Sequence, residues 1–235
     1  MEIIIENLLK CYGSKEAVNI EEYRIAEGTL LGLVGNNGAG KTTLFRLLLD
    51  LLKADRGRVT LGGINPAESE EWKQQTGAYV DDGFLIDYLT PEEYFHFVGK
   101  MCGLSEAVTD ERIALYADFM NGEVMGQQKF IRNLSAGNKQ KVGIVAALLN
   151  EPKLVVLDEP FNFLDPTSQS VIKHVLKEYN ARTGATILVS SHNLNHTVDI
   201  CPRIALLEQG RLLRDIDNSN KQAEQELESY FEVKE

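Results

Sequence analysis

The run Gly35-Asn36-Asn37-Gly38-Ala39-Gly40-Lys41-Thr42 fits the phosphate-loop pattern G-x-x-x-x-G-K-[ST] and constrains the fold more than any other stretch. The pattern works between a buried strand and a helix. Thr29–Val34 reads as an apolar strand entering the loop, and Thr43–Leu49 reads as a helix leaving it. Glycines let successive N–H groups turn inward and form an anion-binding nest. A helix beginning near Lys41 aims its positive end at the same place. Lys41 is then expected on the β- and γ-phosphates of a nucleotide, and the Thr42 hydroxyl on Mg²⁺.

Length and charge narrow the class. The chain has 235 residues, enough for one large domain or two small ones, and 43% of them are hydrophobic. Its net charge of −11 argues against general nucleic-acid binding, which needs a basic surface. No run approaches the ~18 apolar residues of a membrane span. The first residues, Met1-Glu2-Ile3-Ile4-Ile5-Glu6, are acidic where a secretory signal is basic. Cys11, Cys102 and Cys201 form no C-x-x-C pair and read as reduced thiols.

Strand patterns cover Glu2–Leu9, Ala17–Ile25, Thr29–Val34 and Arg58–Leu61, and Ala78–Val80 follows a short helix at Glu68–Gln75. The middle block is helical. Thr90-Pro91-Glu92-Glu93 reads as a cap with an acidic first turn, and a second helix is expected over Asp110–Met120. A helix from Gly137 to Asn150 precedes a return to alternation: strand Leu154–Leu157, helix Ser168–Ala181, strand Thr186–Ser190, helix Asn193–Ile200, strand Arg203–Leu207. Gln209-Gly210 turns into a last strand, Arg211–Arg214, and a charged helix is expected from Asp217 to Glu235.

Leu154-Val155-Val156-Leu157 is an apolar run ending in Asp158-Glu159. Carboxylates at the C-terminal end of a buried parallel strand lie where α/β sheets bind ligands. Asp158 is placed to hold Mg²⁺, and Glu159 to orient or deprotonate an attacking water. Ser190-Ser191-His192 closes another strand, so His192 is a candidate for the γ-phosphate or the catalytic water. In Leu134-Ser135-Ala136-Gly137-Asn138 a hydroxyl and a glycine open a helix. Ser135 is either an ordinary N-cap or, with Gly137, a phosphate contact for a nucleotide held by another copy. Tyr12, just beyond the first strand, either stacks on adenine or is a half-buried strand-end tyrosine.

Taken in order, Tyr12, Gly35–Thr43, Leu134–Lys141, Leu154–Glu159, Asn162–Asp165 and His192 resemble an ABC-family ATPase domain over essentially the whole chain. The resemblance implies an α/β, P-loop NTPase fold: a RecA-like core (1–80 and 151–215), an N-terminal antiparallel β region, an inserted helical subdomain (81–150) and a short helical tail (216–235). It implies a head-to-tail dimer, homo- or heteromeric, sandwiching two ATP molecules with Mg²⁺. Each ATP would touch Lys41 and Glu159 of one subunit and Ser135 and Gly137 of the other. Two departures from the family pattern stand out. LSGGQ reads LSAGN here, and the usual glutamine of the loop after the fifth strand aligns with Asp81, which would offer an oxygen to Mg²⁺ or water. An acidic residue there is similar to the bacterial drug, lantibiotic and ion exporter branch.

The resemblance therefore implies the ATP-hydrolysing subunit of a membrane transporter, an exporter by branch. It would sit on the cytoplasmic face of the cell membrane and drive a separate transmembrane permease that docks on Phe84–Val98. The alternative is a soluble ABC ATPase, such as one for iron–sulfur cluster assembly.

Overall fold

The computed structural model describes residues 1–220 with Ala223, Glu226 and Leu227. Among them the strands are β1 (Ile3–Tyr12), β2 (Lys15–Ile25), β3 (Leu30–Val34), β4 (Arg56–Leu61), β5 (Thr76–Tyr79), β6 (Leu154–Leu157), β7 (Thr186–Ser191), β8 (Arg203–Glu208) and β9 (Arg211–Asp217). The helices are α1 (Lys41–Leu48), α2 (Pro91–Met101), α3 (Glu106–Ala114), α4 (Ala117–Met120), α5 (Ala136–Leu148), α6 (Pro166–Thr183) and α7 (Leu194–Val198). Short 3₁₀ turns cover Glu71–Gln75, Asp82–Phe84 and Ile131–Asn133.

The strands form an antiparallel sheet in the order β2-β1-β4 and a larger sheet in the order β5-β6-β7-β3-β8-β9. In the larger sheet β5, β6, β7, β3 and β8 run parallel, and β9 closes the edge antiparallel to β8. Every residue of β3, β6 and β7 is buried, as strands covered on both faces must be. Alternation sorts their side chains between two cores. Leu31, Leu33, Val156 and Leu188 pack with Leu44, Phe45 and Leu48 of α1 and with Ile3 and Ile5 of the antiparallel sheet. Leu30, Val34, Val155, Val189 and their neighbours pack with Ile144 and Leu148 of α5 and Ile172 and Leu176 of α6. The phosphate-loop helix is thereby wedged between the two sheets.

The parallel register brings the C-terminal ends of β5, β6, β7 and β3 to one edge: Tyr79 pairs with Leu157, Leu157 with Val189, and Ser191 with Val34. This is the edge at which open α/β sheets bind ligands.

Boundaries differ from the sequence expectation at several points. β1 runs on to Tyr12 because Tyr12 pairs with Lys15 across the hairpin and the Asp55 carboxylate accepts the Cys11 N–H at 2.7 Å. The second helix of the middle block begins at Glu106, not Asp110. Ser105 caps it, accepting the Val108 N–H at 3.3 Å, and the helix breaks near Tyr116 before α4. The cap at α2 forms reciprocally: Thr90 accepts from the Glu93 N–H at 3.3 Å, and Glu93 accepts from the Thr90 N–H at 2.8 Å. β9 continues to Asp217 opposite Arg203, whose guanidinium grips Asp215 at 2.5 Å. The expected helix over 217–235 falls largely outside the described residues.

Candidate functional site

The loop after β3 reverses the chain within a few residues. Gly38 and Gly40 have φ of 81° and 111°, and Ala39 N–H donates to the Asn36 carbonyl at 3.0 Å. A Cβ at Gly40 would lie 2.2 Å from the Ala17 carbonyl oxygen of β2, so the antiparallel sheet presses directly on the loop. Lys41 opens α1 and is only 6% exposed. Its Nζ donates to the Gly35 carbonyl at 2.7 Å and lies 3.3 Å from Glu159 Oε1. A cavity of about 290 Å³ opens above the loop, with Tyr12, Lys15, Asn37, Lys41, Thr42 and Glu159 on its walls. Tyr12 is 53% exposed at its rim.

β6 delivers the two carboxylates. Asp158 is buried, and its N–H donates to the Tyr79 carbonyl of β5 at 2.9 Å. One of its oxygens accepts from the Thr42 hydroxyl and the other from the Ser190 hydroxyl of β7. Burial raises its pKa above the ordinary carboxylate range, although both hydroxyls pull the other way. Glu159 follows at φ 48°, a conformation held by two bonds. Its N–H donates to Ser190 Oγ at 2.8 Å, and its carbonyl accepts from Gln140 Nε2 at 3.1 Å. The carboxylate then reaches in two directions. Oε1 faces Lys41, and Oε2 lies 2.9 Å from His192 Nδ1 and 3.3 Å from the His192 N–H. Because a carboxylate only accepts, Nδ1 carries the hydrogen in this arrangement. Lys41, Glu159 and His192 thus form a continuous polar chain across the ends of β3, β6 and β7.

Asp81 has two protein partners: Oδ2 accepts from Arg46 Nη2 at 2.9 Å, and Oδ1 accepts from the Gly83 N–H at 2.9 Å. It still shares a cavity of about 300 Å³ with Asp158, Glu159 and Phe163. Ser135 and Gly137 are not among the walls of the phosphate-loop cavity. Ser135 is exposed and caps α5, accepting the Asn138 N–H at 3.2 Å. Gly137 is a close-approach position within its own chain: a Cβ there would lie 2.6 Å from the Phe163 carbonyl oxygen.

Three residues of the site escape a motif reading. Ser190 holds both Asp158 and the Glu159 backbone. Its position two residues before His192 at a strand end was the available signal. Arg46 lies one helical turn beyond Thr42, and i,i+4 spacing puts both on one face. Gln140 reaches Glu159 from α5 across 19 residues, which no local pattern foretells.

The donors fit a hard divalent cation. Thr42 and Asp158 offer oxygens only, side by side. Among the described residues no cluster of three or more His, Cys, Asp or Glu could cage a metal. One or two protein oxygens completed by phosphates is how Mg²⁺ binds.

A family model described as ABC transporter matches residues 18–162. The linearmycin resistance ATP-binding protein LnrL of Bacillus subtilis is 33% identical over 209 residues, 88% of this chain and 67% of that protein. The bacitracin transport ATP-binding protein BcrA of Enterococcus faecalis is 32% identical over 241 residues, 99% of this chain and 75% of that protein. The solved structure of the ATP-binding subunit of an ABC transporter superposes with a TM-score of 0.86 at 28% identity, covering both chains in full.

Proposed function

The chain belongs to the ABC transporter family, and on that premise we propose that it is the motor subunit of a multi-component exporter, driving a separate membrane permease through ATP-dependent dimerisation. It is an ABC-type ATPase that binds ATP. The observation that carries the reading is the convergence of Lys41, Thr42, Asp158, Glu159 and His192 at the ends of β3, β6 and β7.

In this reading the triphosphate lies in the loop from Gly35 to Thr43, and adenine stacks on Tyr12. The γ-phosphate competes with Glu159 for the Lys41 ammonium, freeing the carboxylate to face water. Glu159 takes a proton as the water oxygen attacks the γ-phosphorus and the bond to the ADP oxygen breaks. His192, already bonded to Oε2, holds the carboxylate in line. Thr42 and Asp158 are the residues that would hold Mg²⁺, which when bound neutralises phosphate charge. Ser135 and Gly137 meet the ATP of a second subunit, homo- or heteromeric, because in their own chain they lie away from the loop. The core is assigned to 1–80 and 151–215 and the helical subdomain to 81–150.

The permease surface narrows to Phe84, Ile86, Tyr88 and Phe97, which are exposed, whereas Phe95 is fully buried. The Arg132 guanidinium stacks 4.8 Å from the Tyr88 ring, and the Asp87 and Leu89 carbonyls accept the Arg132 and Ile131 N–H groups at 3.1 and 2.8 Å. These bonds join the surface to the turn just before Ser135. No helix among the described residues is long and apolar enough to cross a membrane. The test is pull-down of the Glu159→Gln chain from solubilised membranes with and without ATP. An ATP-stabilised complex with an integral membrane protein, lost in Tyr88→Glu, supports the reading. A chain that dimerises with ATP but never joins a membrane protein refutes the exporter role.

A further inference from the structure

Two adjacent carboxylates, Asp81 and Asp82, stand between the two helices that begin at the site. Asp81 is paired with Arg46 of α1 at 2.9 Å, and Asp82 lies 3.8 Å from the Lys139 ammonium of α5. Asp81 also lines the cavity that Asp158 and Glu159 line. That is a dense set of negative charge for a place where a triphosphate is to bind. Lys41 faces Glu159, and the Asp158 carboxylate is held by two hydroxyls. Arg46 is the cation in contact with Asp81. Both Asp81 oxygens are occupied, so the carboxylate has one orientation, with the guanidinium on one oxygen and the Gly83 N–H on the other.

An ion pair this exposed, with side chains 42% and 38% accessible, adds little to fold stability. Its consequence is electrostatic. A lone carboxylate beside the γ-phosphate position would repel ATP more than ADP, because the extra phosphate brings the charge closer. Pairing with Arg46 removes most of that repulsion while leaving a polar group in place.

We infer that Arg46 is a positioning residue that fixes the Asp81 carboxylate at the edge of the phosphate site and cancels its charge, so that the pair presents ATP with a neutral polar group. The inference rests on the reading of the phosphate-loop cavity as the ATP site; the cavity that Asp81 lines meets it at Glu159.

The test is calorimetric titration of the full chain with a non-hydrolysable ATP analogue and, separately, with ADP, both with Mg²⁺, alongside thermal unfolding. Arg46→Gln should weaken the analogue by about 3- to 10-fold and ADP by less than about 2-fold, the range expected of one uncompensated charge at a partly exposed site. Arg46→Lys keeps the charge and should stay within about 2-fold of wild type. Arg46→Gln combined with Asp81→Gln should recover the analogue affinity, because no uncompensated charge remains. Unchanged analogue affinity in Arg46→Gln, or a double variant as weak as Arg46→Gln alone, would overturn the inference. So would equal losses for ADP and analogue with a lowered Tm, which mark a purely structural role. A wild-type chain that binds neither nucleotide would instead sink the site reading itself.

Discussion

α1 begins at Gly40, a residue with φ 111° and no side-chain cap, and its first residue, Lys41, is almost fully buried beneath a cavity. α5 begins at Ser135, whose hydroxyl already accepts an N–H of its own helix and whose surface is open. The first terminus opens into a cavity walled by Lys15 and Ala17 of β2, Glu159 and the Tyr12 rim, all of one chain. At the second, Ser135 and Gly137 line neither cavity. A helix N-terminus attracts anions in both cases. Enclosure by surrounding elements is what distinguishes the first, and the proposed function gives the second to the nucleotide of another subunit.

This contrast can be broken most severely at Glu159. Glu159→Gln keeps the shape and the Lys41 contact but cannot take a proton efficiently, so ATP turnover should fall about 10²-fold or more. Phosphate release by the purified chain measures it, and size measurement with ATP should show a dimer that persists. Near-normal turnover would remove Glu159 from the chemistry.

Lys41→Ala removes the charged contact at the enclosed terminus. A charge-assisted hydrogen bond contributes roughly 1.5–3 kcal/mol, so ATP affinity should drop by about 10- to 100-fold with the fold intact. Nucleotide titration with circular dichroism on the same sample checks both parts.

At the open terminus, Ser135→Asp separates capping from trans contact. Aspartate caps helices as well as serine, so Tm should move little. A carboxylate aimed at a partner's phosphate should nonetheless suppress the ATP-dependent dimer. Mixing this variant with Lys41→Ala should leave one intact composite site and recover part of the turnover. If Ser135→Asp instead abolishes ATP binding in its own monomer, the two termini serve one nucleotide in cis and the contrast fails.

The smallest effect concerns stability. Because burial raises the Asp158 pKa in the folded chain, the native state holds its proton more tightly than the unfolded chain. Stability without nucleotide should therefore fall as pH rises from the ordinary carboxylate value through the raised one. Asp158→Asn escapes that loss, since one of the Thr42 and Ser190 hydroxyls can rotate to accept from the amide NH2 while the other still donates to the amide oxygen. Its Tm at pH 7 should exceed that of the wild type. The difference should vanish near pH 4, while the variant stays inactive at both. Scanning calorimetry without nucleotide decides it.

Much of this molecule was legible along the chain. The phosphate loop, the apolar run ending in Asp158-Glu159 and the strand ending in Ser190-Ser191-His192 are local patterns. Glycine freedom, strand burial and i,i+4 spacing act over a few residues, so the sequence alone determined that these groups sit at strand ends and helix starts. The helix boundary at Glu106 turns on a single cap, Ser105, which lacks the acidic partner that made Thr90 readable. Pairing across strands is another matter. That Glu159 bridges Lys41 and His192, that Ser190 holds Asp158, and that Asp81 is claimed by Arg46 depended on the order β5-β6-β7-β3 and its register. Those contacts join residues 32 to 118 positions apart, and only the packed sheet sets which charged groups come within hydrogen-bond reach. The sequence alone determined which chemical groups the site contains. The tertiary structure decided which of them touch, because ion pairing and desolvation depend on distance in space and not along the chain.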